Sequence, residues 1–145
     1  MSDVDFKKLK DQMRGIFNGA AGFAALQEKD YAKAREHLGK AVAIDGTNMQ
    51  DVFQLSVAEL EMNPRDADGF WHAARAMHFA GANAAGRQSI EAYVKAKYKK
   101  FHGGIDGWDL LVKAAAGDQV NVTGLITSYA LEPFRFIMKE GELLK

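Results

Sequence analysis

Four histidines, His37, His72, His78 and His102, are the first residues to weigh for chemistry. A metal needs donors that converge on one point. His72 and His78 are six apart and so fall on different faces of a helix, and His37 has only Glu36 and Lys33 nearby, without ligand spacing. With no cysteine in the 145 residues, neither a thiolate site nor a disulfide framework is available. The spacing points to no metal and no cofactor. The acid pairs Glu59 with Glu61 and Asp66 with Asp68 read as cap and surface residues. Two catalytic carboxylates would need environments that separate their pKa values. No nucleophile elbow, P-loop or dinucleotide fingerprint occurs. The expectation is a protein that is not an enzyme.

A basic cluster, Lys95, Lys97, Lys99, Lys100 and His102, is interleaved with Tyr93, Tyr98 and Phe101. Such a cluster can bind phosphate or an acidic peptide, or it can be a solvated face whose lysine stems cover the rings. The second reading is preferred. Lys plus Arg equals Asp plus Glu at 19 each, which argues against a nucleic-acid binder, since those carry a basic excess. Asn121-Val122-Thr123 fits a glycosylation pattern but falls in an expected strand, so it is discounted.

The elements that would carry these residues are mostly helices. The best marked stretch is 22–48, two amphipathic helices back to back. Asp30 is a good N-cap for the second. There Tyr31, Ala34, Leu38, Ala41, Val42 and Ile44 recur at helical spacing. Ala34 and Ala41 allow close helix approach, and Gly46 could end the helix in the left-handed conformation. Residues 3–14 read as a charged helix start with a narrow apolar edge of Val4, Phe6, Leu9 and Met13. Gly15, Gly19 and Gly22 each weaken a helix by ~1 kcal/mol relative to Ala; three of them suggest close packing, and 15–28 reads as one helix, with a kink at Asn18-Gly19 left open. Further helices are expected over 49–62 and up to Ala80, separated at Pro64, which disfavours the α region at Asn63. A longer helix spans 84–101, and a short one, 108–116, should pack Trp108, Leu111 and Val112 back on it.

Gly22, Asp30-Tyr31, Ala34, Leu38, Ala41, Ile44-Asp45 and Asn48 resemble one tetratricopeptide (TPR) unit, with Gly46 where that family usually has Pro. A step of ~34 residues, the period of that repeat, leads from Gly15 to Met49 and on to Asn83. The expected fold is therefore mainly α, a TPR-like superhelix of helical hairpins, with an N-terminal helix over 1–14 and repeats over 15–48, 49–82 and 83–116. The resemblance implies a module that binds another protein or a peptide in a concave groove. It places Ile16, Phe23, Leu26, Phe53, Val57, Leu60, Arg87, Glu91 and Lys95 near that groove. Carboxylate-clamp members of the family use Lys and Asn where this chain has Gly19, Phe23 and Gln54, so an apolar helix or extended segment is the better fit.

After Gly117 the period changes. Val120 to Tyr129 and Phe134 to Lys139 are β-patterned and read as a C-terminal β-hairpin within 117–145. A last helix starting at Pro133 stays open as the alternative. VNVTGLITSY and PFRF resemble the final strands of small OB-like barrels. A lone hairpin is marginal in water, so a homodimer through its strand edges is the second functional reading, and an OB-like nucleic-acid binder the third. No signal peptide and no membrane span is visible, which makes the cytoplasm the default compartment.

Overall fold

The computed structural model describes residues 2–81 and 84–117, together with the backbone of two short strands further on. Six helices follow one another: α1 Asp3–Gln27, α2 Tyr31–Ile44, α3 Met49–Met62, α4 Ala67–Phe79, α5 Ala84–His102 and α6 Trp108–Ala115. Most start on a side-chain cap. Ser2 and Asp5 form a reciprocal capping box at α1. Asp30 accepts from the Lys33 N–H, Asn48 from those of Gln50 and Asp51, and Asp66 from that of Asp68. Each acceptor satisfies backbone donors that the first helical turn leaves open.

Helices pack on their neighbours in sequence: α1 on α2, α2 on α3, α3 on α4 and α4 on α5. Two contacts skip an element, α1 with α3 and α4 with α6. One core cluster, Ala25, Ala34, Leu38, Leu55 and Ala58, fills the space among α1, α2 and α3. A larger one joins Val52, Leu60, Phe70, Met77, Ile90 and Val94 around Trp108. The small residues are contact points. A Cβ placed on Gly22 would overlap the Leu38 side chain, and one on Gly69 would come within 2.7 Å of Leu60 Cγ. The alanines expected at close approach, Ala34 and Ala41, are both fully buried.

Several expectations are corrected. The 14/15 boundary falls in the middle of α1, so the charged start and the first hairpin helix are one continuous element of 25 residues. The glycines do not break it, because Gly15, Gly19 and Gly22 all lie on the packed face, against Ile44, Asp51 and Leu38. Gly46 does not take the left-handed conformation. Asp45 is extended there, and its carboxylate accepts from the Thr47 N–H and hydroxyl. The left-handed residue at the first turn is Lys29, at φ 60°. Finally, α6 lies chiefly on α4 and reaches α5 through Trp108, whose ring sits 5.5 Å from that of Tyr98.

Beyond α6, Ile137–Lys139 and Glu142–Leu144 pair antiparallel, with Ile137 opposite Leu144. The first strand expected for a hairpin, 120–129, lies outside the described residues.

Candidate functional site: the apolar faces of α1 and α3

The histidines are engaged separately. His37 Nδ1 lies 3.1 Å from Asn18 Oδ1 and ties α2 to α1. His72 Nδ1 meets Glu59 Oε2 at 2.7 Å. His78 packs on the edge of Phe79, and His102 stacks on Tyr98 with ring centres 4.7 Å apart. Among the described residues no three His, Asp or Glu side chains converge as metal ligands would.

Glu59 is not the surface residue its place in an acidic pair suggested. It is 3% exposed and sits between His72 of α4 and Arg35 of α2, whose Nε lies 3.9 Å from Oε1. Burial lifts its carboxyl above the ordinary range, and the His72 hydrogen bond and charge work against that rise. Glu61, on the same helix, faces α5. It accepts from the Tyr93 hydroxyl at 2.7 Å and pairs with Lys97 at 2.6 Å. The Lys97 hydrogen bond holds its carboxyl below the ordinary range, and burial of the Tyr93 phenol beside it pushes that group far up. Lys97 also lies over the Tyr93 ring, Lys100 over Phe101, and Lys95 pairs with Glu91. The basic cluster therefore spends much of its charge within α5 and on α3.

The nine groove residues sort by helix. On α1, Ile16 and Phe23 are 70% and 47% exposed, while Leu26 is half-buried against the α1–α2–α3 core. On α3, Phe53 and Val57 are half-buried, with Phe53 edge-on to Tyr93 of α5 at 6.0 Å. Leu60 is fully buried beside Gly69. It belongs to the core and cannot meet a partner, which corrects its place in the groove. On α5, Arg87 is exposed, and Glu91 and Lys95 are half-buried and paired to each other. The structure thus joins the α3 and α5 sets through Phe53 and Tyr93, and leaves Ile16 and Phe23 on the solvent side of α1.

The feature that sequence reasoning cut in two is the outer face of α1. Phe6, Leu9, Met13, Ile16, Ala20 and Phe23 alternate three and four apart. All six are exposed, and Phe17 beside them is 67% exposed. They lie opposite the glycine face that packs on α2 and α3. The signal was legible in the spacing, but a boundary drawn at Gly15 divided it. Gly15 packs on Ile44 at the end of α2, and residues 3–14 run on beyond that contact. An open cleft of about 750 Å³ lies between this arm and the α2–α3 turn, with Val4, Lys7, Asp11, Ala41, Ile44 and Asp51 on its walls. None of the helices among the described residues is long and apolar enough to cross a membrane. In comparisons with known proteins, no family model, no curated protein and no solved structure matches the chain.

Proposed function

We propose that the chain is a non-enzymatic interaction module, a TPR-like stack of helical hairpins whose apolar face takes a helix or extended peptide from another polypeptide. One observation carries this. Apolar side chains stand in solvent on α1 and α3, Ile16 at 70% and Phe23 at 47% exposure on the first and Phe53 and Val57 half-exposed on the second, while the glycine face of α1 packs on α2 and α3. An apolar surface of that extent marks a docking site more often than a solvated face. The reading is further supported by the serial packing of α1 to α4 and by the contact between α1 and α3, the arrangement in which alternate helices line one wall. Binding would bury side chains already in place and would need no cofactor.

A photoreactive side chain placed at Val57, on the half-exposed face of α3, tests this in the organism's own cells. Crosslinking to a second polypeptide is expected there, and Phe53→Glu should abolish it while helical content is kept. The same group at Glu36, on the polar face of α2, should give no adduct. Equal adducts at both places, or none at Val57, would overturn the docking reading.

A further inference from the structure

We infer that the outer face of α1 is a coiled-coil seam and that its occupant is α1 of a second copy of this chain, running antiparallel. The inference rests on the docking reading above and names its partner. Spacing is the first argument. An apolar stripe at alternating three and four residues repeats every seven, and that period, unlike the 3.6 of a helix covered by a globular body, suits a helix that meets another helix along its length. The stripe is sustained from Phe6 to Phe23 with only Ala20 small.

Length is the second. Among the described residues no helix lies alongside 3–14, which carry α1 past its contact with the end of α2, and a bare helical stretch shorter than ~12–15 residues is marginal in water. An antiparallel pair with its twofold axis between Arg14 and Gly15 lays the arm of each copy along the packed half of the other. Phe6 then stands opposite Phe23, Leu9 opposite Ala20, and Met13 opposite Ile16. The whole stripe is used and nothing overhangs.

Bulk selects this direction. A parallel pair would set Ala20 against Ala20 and lay two copies of the mixed-charge segment 3–14, with Asp3, Asp5 and Asp11 among Lys7, Lys8, Lys10 and Arg14, on each other. The antiparallel pair sets that segment beside a stretch of α1, 15–26, that carries no charge. It gives Ala20 the bulk of Leu9, and lets the Lys10 stem cover Phe17. Area is adequate too. Phe6, Leu9, Met13, Ile16, Phe17 and Phe23 are 45–70% exposed, on the order of 600 Å² of apolar surface per copy. A standard interface takes about 800 Å² per partner, polar rim included.

The absence of cysteine from the chain makes a clean test. Leu9→Cys and Ala20→Cys are both at exposed positions. Under mild oxidation a mixture of the two full-length variants should form a disulfide-linked pair, and neither alone should, because like positions would lie ~16 Å apart at 1.5 Å per residue. Sedimentation equilibrium should give a dimer for the natural sequence and a monomer for Met13→Glu with Ile16→Glu at unchanged helical content. Crosslinking of Ala20→Cys alone would overturn the antiparallel arrangement. A dimer that survives the double glutamate change would place pairing elsewhere, on the C-terminal strands for instance, and overturn the seam. A monomeric natural sequence would overturn self-pairing while leaving the docking reading to its own crosslinking test at Val57.

Discussion

At the scale of single residues, what matters most is which positions have room. Gly22 and Gly39 are both inside helices, and both look like weak points on propensity alone. Their surroundings differ. A Cβ on Gly22 overlaps Leu38 and approaches its backbone nitrogen at 3.2 Å, whereas one on Gly39 meets nothing within 4 Å. Gly39→Ala should therefore raise stability by up to ~1 kcal/mol. Gly22→Ala gains the same propensity but must push α1 off α2, and overpacking of that kind costs about 1–3 kcal/mol. Urea unfolding of the two variants should show shifts of opposite sign; shifts of the same sign would mean the α1–α2 contact is looser than described. The composition already shows the glycines, and their spacing shows that Gly15, Gly19 and Gly22 share a face. Three glycines together suggest close packing, but which side chains they meet, Ile44, Asp51 and Leu38, is decided by the other helices. Leu60 was misplaced for the same reason: its helix is apolar on several sides, and Gly69 on the next helix draws Leu60 inward.

At the scale of elements, one buried acid holds three helices to a common geometry. Glu59 of α3 reaches Arg35 of α2 and His72 of α4. Its carboxyl is raised, first by burial, and Asp66 and Asp68 nearby push the same way. A carboxyl with a raised folded pKa binds its proton more tightly in the fold than in the unfolded chain. It therefore favours the fold most at acid pH, and that contribution is lost as pH climbs from the ordinary carboxylate range, about 4.3, through the raised value. In Glu59→Gln this dependence is gone. Unfolding measured at several pH values across the carboxylate range should show the natural protein losing stability relative to the variant as pH rises; a constant gap would mean that Glu59 does not titrate differently in the fold. Asn48, which caps α3, reads in the sequence as part of the stop of α2, whereas the caps Asp30 and Asp66 could be read from the chain, since a cap acts within three residues. The link through Glu59 could not, since its partners lie 24 residues before it and 13 after.

At the scale of the molecule, α1 is both a wall of the helical stack and, in the pairing inferred above, its means of association. A dimer held through α1 makes thermal stability depend on concentration, because association draws on the folded state alone. The midpoint of thermal unfolding should rise with protein concentration and should stop doing so in Met13→Glu with Ile16→Glu; a midpoint independent of concentration in both would argue against the seam. The mainly helical class and most helix ends were legible, because caps and apolar periodicity are local properties. The continuity of α1 was not, because low propensity at three glycines is outweighed by packing that only the folded chain supplies. The serial packing of the helices has a kinetic consequence as well. With α1 on α2, α2 on α3, α3 on α4 and α4 on α5, most contacts close short loops. Topologies of that kind fold in microseconds to milliseconds, and the α1–α2 hairpin completes its core once Leu55 and Ala58 of α3 dock on it.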